Sequence, residues 1–314
     1  VVNEFSEPTV AYLGPRGTFT EEALFSLDDL KGYRAVPLGS FKEVLERTEA
    51  GEFDLGFLPI ENSIEGTVLA TLDPMVFEHH LLIQREVELE IHQNLLVKPG
   101  TERTEIKTII SYSHATAQCA NYIKHNLPGV TISTADSTAQ AAQIVAESDD
   151  HTLAAIGPLV AAQIYGLWVE TEQIEDFANN KTRFVLLSRT GVPEMTGCDK
   201  TSIVCFQLAD RPGSLLGILE HFARRSINLS KLESRPAKSV MGEYCFIIDF
   251  EGHIRDEPVA ECLEAISDSQ AGVKFLGSYP RVPVSSLKDI EKNSVSRVGY
   301  VGKGWVRELL NPLG

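Results

Sequence analysis

Several features are missing from this chain, and each absence narrows the field. No Cys-x-x-Cys pair occurs; Cys119, Cys198, Cys205, Cys245 and Cys262 are odd in number and widely spaced. That gives neither a zinc ribbon nor a disulfide framework, so no metal site is expected. No apolar run approaches the ~20 residues that a membrane-spanning helix needs. Residues 1–8 lack the basic region and apolar stretch of a secretory leader, so the cytoplasm is the expected compartment and no membrane partner is expected. Positive charge is scarce: 28 Lys and Arg stand against 44 Asp and Glu, a formal net charge of -16. A nucleic-acid binder needs a basic face to displace phosphate counterions, which argues against a nucleic-acid partner. An anionic small molecule would need a local positive site to offset the unfavourable mean field.

What is present is an ordinary globular composition, 43% hydrophobic and 23% charged over 314 residues, enough for two or three domains with their own cores. The first half alternates strand and helix patterns, the signature of an α/β fold. Strand patterns near residues 9–13, 33–37 and 53–58 each run into a turn and a helix. Polar groups gather at those strand ends, where ligands collect in open α/β sheets. Gly14-Pro15-Arg16-Gly17-Thr18 is one such turn, with Thr18 or Thr20 a candidate helix cap and Thr18 a candidate substrate contact; no Gly-Lys-Ser/Thr follows, so it is not a Walker loop. Asn62 and Ser63 are candidate substrate donors, with Glu65 read as orienting neighbours or capping a helix. Ser113 and His114 stand before a helix pattern; His114 suits proton transfer near neutral pH or a structural role in the turn. Cys119 reads as a core residue.

The densest chemistry lies at Asn179-Asn180-Lys181-Thr182-Arg183-Phe184. Two Asn mark a turn, and an apolar strand begins. Arg183 offers a rigid fork of donors suited to a carboxylate, Thr182 a compact hydroxyl, and Phe184 an anchor to the core and the substrate site.

Four stretches in this order, Gly14-Pro15 with Gly17-Thr18-Phe19, Pro59-Ile60-Glu61-Asn62-Ser63 with Glu65-Gly66, Ser113-His114 with Gln118-Cys119, and Asn180 with Thr182-Arg183-Phe184, resemble prephenate dehydratase. Tyr165-Gly166-Leu167 fits as well, and the likeness covers about residues 9–188. The resemblance implies a two-lobed, periplasmic-binding-protein-like catalytic domain over 1–190, with lobes near 9–79 plus 165–190 and 80–160. It implies a dianionic substrate, prephenate, that loses carbon dioxide and a hydroxyl without cofactor or metal. Thr182 is then the essential residue, a hydrogen-bond donor to the departing hydroxyl. Arg183 or a helix N-terminus holds the pyruvyl carboxylate, and His114 and Glu61 are outside candidates for the proton source.

After a polar linker, residues 199–280 carry strand and helix patterns in βαββαβ order, a ferredoxin-like arrangement. They resemble an ACT domain. Pro212-Gly213-Ser214-Leu215-Leu216 and Glu233-Ser234-Arg235-Pro236 match the two regulatory motifs of the enzyme family, with Ser214 and Leu216 standing where Ala and Val are usual. The likeness implies an L-phenylalanine site at a homodimer or homotetramer interface, with Asn228 and Leu229 opening the adjacent strand. Arg235 is open between ligand contact and an interdomain salt bridge. Residues 281–314 form a tail that no motif covers. Two other readings stand beside this one: an arogenate dehydratase, and a non-catalytic amino-acid sensor, which would have no need of the Thr182-Arg183 pair.

Overall fold

The computed structural model describes residues 7–207, 211–237, 244–269 and 271–282. The expected tail beyond 282 lies outside the described residues, as do Asp210 of the expected turn and residues 1–6.

The first lobe begins with β1 (Thr9–Leu13), α1 (Phe19–Phe25), β2 (Arg34–Leu38), α2 (Phe41–Glu49), β3 (Leu55–Asn62), the two-residue β4 (Gly66–Thr67), α3 (Leu69–Phe77) and β5 (Leu82–Glu90). Local chemistry sets these bounds. Thr18 and Ser40 accept the Glu21 and Glu43 amides and so cap α1 and α2. On α2 the buried Val44, Leu45 and Thr48 share one face, and Glu43, Glu46 and Arg47 lie outside it.

The second lobe follows: β6 (Asn94–Val97), β7 (Thr108–Ser111), α4 (Ser113–Gln118), α5 (Ala120–Asn126), β8 (Thr131–Thr134), α6 (Thr138–Glu147), β9 (Leu153–Gly157), α7 (Leu159–Tyr165) and β10 (Trp168–Thr171). Ser137 caps α6, and Gly166 ends α7 in the left-handed conformation that a residue without Cβ adopts without strain. The chain then returns to the first lobe as β11 (Lys181–Ser188).

β11 slots between β3 and β5, antiparallel to both, in a sheet of order β2-β1-β3-β11-β5; the second sheet runs β10-β6-β9-β7-β8. Two lobes joined by two crossings form the periplasmic-binding-protein-like arrangement. The crossings fall later than the sequence implies. β5 belongs to the first sheet because it pairs with β11, and β10 to the second because it pairs with β6. The lobes therefore meet near residues 91–93 and 172–180, not near 80 and 165.

The C-terminal domain comprises β12 (Asp199–Gln207), α8 (Ser214–Arg224), β13 (Leu229–Pro236), β14 (Tyr244–Glu251), α9 (Glu257–Asp268) and β15 (Ala271–Pro280), with sheet order β13-β14-β12-β15. One sheet face carries α8 and α9 over a core of Ile203, Cys205, Phe222, Ile248 and Phe250. The other face lies on the first lobe: Val204, Cys245, Ile247, Leu276 and Tyr279 share one apolar cluster with Leu58, Met75, Ile83 and Val185. Burying each such side chain contributes about 1.5–3 kcal/mol relative to exposure. Gly277 makes this approach feasible. Its φ is +147°, and a Cβ there would sit 2.5 Å from the Ile83 carbonyl oxygen. Lys274 reinforces the contact by donating to the Met75, Val76 and His79 carbonyls at the end of α3, at 2.7, 2.9 and 2.6 Å.

Candidate active site

A cavity of about 340 Å³ lies between the two lobes. Strand periodicity selects what β11 offers it. Successive side chains alternate across a sheet. Asn180, Thr182 and Phe184 line the cavity, whereas Arg183 points to the opposite face. Phe184 is buried and stacks on Phe57 with ring centroids 5.5 Å apart, which fixes the wall behind Thr182.

Thr182 pairs with Asn62 across the β11–β3 ladder. Asn62 Nδ2 donates to Thr182 Oγ1 at 2.9 Å and to Asn180 Oδ1 at 2.8 Å, while its Oδ1 accepts the Ile64 and Glu65 amides at 2.9 and 3.0 Å. Asn180 Nδ2 donates to Gln118 Oε1 at 3.2 Å, and Gln93 Nε2 reaches the same oxygen at 3.4 Å. A chain of neutral carboxamides thus runs from the second lobe, through both crossings, to Thr182. Gln93 Oε1 is buried without a hydrogen-bond partner.

Thr18 also lines the cavity, donating to the Leu13 carbonyl at 3.3 Å while it caps α1. The turn before it is held by buried Glu21, whose carboxylate accepts from Tyr12 Oη at 2.7 Å and the Gly17 amide at 2.5 Å. Burial, then the hydrogen bond to Glu21, pushes the Tyr12 phenol well above its ordinary range. His114 lines the cavity from the second lobe. It stacks on Tyr112 and meets Glu65 of the first lobe, Nδ1 to Oε1, at 2.5 Å. Beyond Thr18 and Phe41 the cavity opens into a wider cleft of about 1030 Å³, bordered by Arg16, Ser40, Gln140 and Tyr165.

Arg183 does not reach the cavity. Its Nη1 donates to Glu86 Oε2 at 3.1 Å and to Asp249 Oδ2 of the C-terminal domain at 3.0 Å, and its Nη2 lies 2.9 Å from Glu61 Oε2. Burial alone would lower the guanidinium's proton affinity; Asp249, with Glu86 and Glu61, outweighs it and holds the charge firmly. Glu61 is turned the same way, so it offers no proton to the cavity. Ser63 accepts the Lys181 amide at 2.9 Å and donates to the Asn179 carbonyl at 3.2 Å, pinning the returning crossing and not lining the cavity. Ser113, the first residue of α4, is exposed and not part of the lining; the buried hydroxyl nearby is Ser111, bonded to the Ile156 carbonyl. Cys119 is wholly buried, and desolvation raises its thiol pKa well beyond the reactive range, as a core role requires.

A second cavity, about 470 Å³, lies at the N-terminus of α8 and is lined by Gly213, Ser214, Leu215, Leu216 and Ser234, with Tyr244 and Phe246. Asn228, Leu229, Glu233, Arg235 and Pro236 do not line it. Asn228 gives its carbonyl to the Glu251 amide, Leu229 packs on the domain core, and Pro236 pairs with Tyr244 at the strand end. Glu233 accepts from Thr67, and Arg235 donates to both oxygens of Asp73 at 3.0 and 3.1 Å. The interdomain alternative for Arg235 is the one observed, because alternation along β13 sends 231, 233 and 235 to one face and 234 to the other.

Gln93, Gln118 and Asn180 are site residues that chemistry-by-type overlooks. Asn180 carried a readable signal: it is two residues before Thr182 and so shares its face.

A family model described as prephenate dehydratase matches residues 10–192, and one described as ACT domain matches residues 201–268. The prephenate dehydratase of Methanocaldococcus jannaschii is 42% identical over 274 residues, covering 86% of this chain and 97% of that one. Among solved structures, the prephenate dehydratase of Arthrobacter aurescens in complex with L-Phe is similar at TM-score 0.81 and 39% identity, covering 96% of this chain and 99% of that one. GqqA, described as a novel type of quorum quenching acylase, is similar at TM-score 0.77 and 26% identity, covering 88% of this chain and 98% of that one.

Proposed function

Because the chain belongs to the prephenate dehydratase family, we propose that it converts prephenate to phenylpyruvate, carbon dioxide and water, and that its ACT domain carries an L-phenylalanine signal to that reaction. The observation that carries the reading is the state of Thr182. Its oxygen accepts from Asn62, and among the described residues nothing accepts its proton. A hydroxyl held this way donates outward into the cavity. The ring carboxylate leaves as carbon dioxide, its bonding electron pair enters the ring, and the carbon–oxygen bond across the ring breaks. The departing oxygen gains negative charge as aromaticity forms, Thr182 donates a hydrogen bond to it there, and a proton taken up from solvent completes the water that leaves. One such oriented donor in a closed site is worth about 3–4 kcal/mol of transition-state stabilisation.

With Arg183 engaged elsewhere, the helix N-terminus is the remaining alternative for the pyruvyl carboxylate. The first turn of α6 reaches the cavity through Ser137 and Thr138, and its dipole favours an anion. Asp136 beside it is engaged by Gln140 Nε2 at 3.4 Å.

The α8 cavity is the proposed phenylalanine site. Leu216, Leu232 and Tyr244 nearby are exposed large apolar residues, which a second copy of the chain would cover in a homodimer or homotetramer. Among the described residues no helix is long and apolar enough to cross a membrane; the cytoplasm is the proposed compartment.

The test offers prephenate and arogenate separately to the full chain. Phenylpyruvate from prephenate, with turnover altered by phenylalanine, is the expected result. Product from arogenate alone, or from neither, overturns the reading.

A further inference from the structure

β3 and β11 are read from both sides. On the cleft side stand Asn62 and Thr182; one residue away on each strand, Glu61 and Arg183 are paired in the same register on the other side. That other side faces the ACT domain. Asp249 on β14 meets Arg183, and Ser202 on β12 donates to Asp249 at 2.6 Å. Lys200 on β12 donates to both oxygens of Glu86 at 2.8 and 2.7 Å. Lys231 on β13 lies 3.3 Å from Glu61 and 3.4 Å from Glu233.

Three cations thus meet four carboxylates in a seam that also holds the apolar cluster, the Arg235–Asp73 pair and the Lys274 contacts. Desolvating so many charges makes such a cluster a poor source of stability, and an apolar repacking would serve the fold as well. What the cluster supplies is direction: fork-shaped and multidentate contacts fix position more tightly than apolar packing does. Lys231 sits on the same strand as Ser234, which lines the α8 cavity from the opposite face of β13. A shift of β13 caused by a ligand at Ser234 therefore moves Lys231, and with it Glu61.

We propose that Arg183 and Glu61 are positioning residues that hold the Asn62–Thr182 pair from the far face of the sheet, and that the ACT domain acts on the cleft through them. This rests on Thr182 as the donor and on the α8 cavity as the effector site. A displacement of about 1 Å at the reacting group is enough to cost about a hundredfold in rate.

The test uses the full chain. Arg183→Lys keeps a cation and removes the fork; Lys231→Met keeps the stem at the domain border and removes the charge. In Arg183→Lys, kcat on prephenate should fall about tenfold or more while KM stays within about threefold, the mark of an interaction that counts in the transition state. In Lys231→Met, phenylalanine binding by calorimetry should stay within about threefold of the unaltered chain, while most of its effect on kcat disappears. Unchanged kcat in Arg183→Lys overturns the positioning role. An unchanged response in Lys231→Met, or loss of phenylalanine binding there, overturns the coupling role. If the unaltered chain ignores prephenate or phenylalanine, it is the underlying functional reading that fails. Amide hydrogen exchange then decides positioning: Arg183→Lys must loosen residues 61–63 and 180–184 above the rest of the lobe, and a uniform change overturns it.

Discussion

The first lobe has two neighbours and treats them differently. Against the second lobe it makes side-chain hydrogen bonds around a cavity: Tyr165 Oη to the Arg16 carbonyl at 3.0 Å, His114 to Glu65, Asn180 to Gln118. Against the ACT domain it shares an apolar cluster, a buried ionic network and a backbone approach that only glycine permits at residue 277. Contacts of the first kind exchange readily with water and suit a seam that opens for a ligand. Contacts of the second kind are lost together or not at all. The first lobe and the ACT domain are therefore expected to unfold together, and any opening for a ligand to fall at the seam with the second lobe.

The sharpest way to probe this contrast is at the centre of the open seam. Thr182→Val keeps the shape and removes the hydroxyl; kcat should fall about 10²–10³-fold with little change in substrate affinity, while phenylalanine binding by calorimetry is untouched. A parallel loss of phenylalanine binding would mean that the two seams are not separable. Next is the closed seam. Gly277→Val drives side-chain atoms into the Ile83 backbone and should destabilise the chain by about 3 kcal/mol in chemical unfolding, with the first lobe and ACT domain still melting in one transition. A separate ACT transition would break the single-body reading.

Acid should act on the closed seam too. Burial alone would raise the Asp249 carboxyl, but Arg183, the Ser202 hydroxyl, Lys200 and Lys231 outweigh it and hold its pKa below the ordinary carboxylate value. A depressed folded-state value contributes stability above the unfolded pKa, near pH 4, and that contribution is lost as pH falls through the folded value. Asp249→Asn should therefore show a shallower loss of stability as pH falls below about 4 than the unaltered chain. The smallest effect is expected at the lobe–lobe rim, where Tyr165→Phe removes one hydrogen bond. Stability should change by about 1 kcal/mol or less, and KM for prephenate should rise a few-fold.

The alternation of strand and helix and the βαββαβ order are legible from residue order because they rest on local periodicity and turn chemistry; the two-lobed architecture follows only from the family resemblance. Thr182 stands out through its residue chemistry and the resemblance, and alternation along β11 is what turns it to the cleft. Arg183 misleads because a guanidinium beside a hydroxyl looks like an anion site when read as a word. Read as a strand, 180, 182 and 184 form one face and 183 the other, so adjacency in sequence argues against shared function. The same holds in β13, where Ser234 and its neighbours Glu233 and Arg235 serve different cavities and seams. What residue order does not reveal is which partner waits on the far face. Asp249 is 66 positions from Arg183 and reaches it only after the ACT sheet has folded onto the lobe. The lobe boundary was displaced for a like reason: β5 is assigned by its pairing with β11, a contact between distant segments.

Asn62 joins a surface turn to the cleft through its side-chain amide. An amide has two unlike ends, and here the surface turn at Ile64 and Glu65 claims the oxygen end, leaving only N–H to face Thr182. A bend at the protein's edge thus dictates which way the hydroxyl at its heart can point. Asn62→Asp would swap the N–H for a second oxygen of nearly equal size, and the hydroxyl would swing round to bond its neighbour, its back turned on whatever the cleft contains.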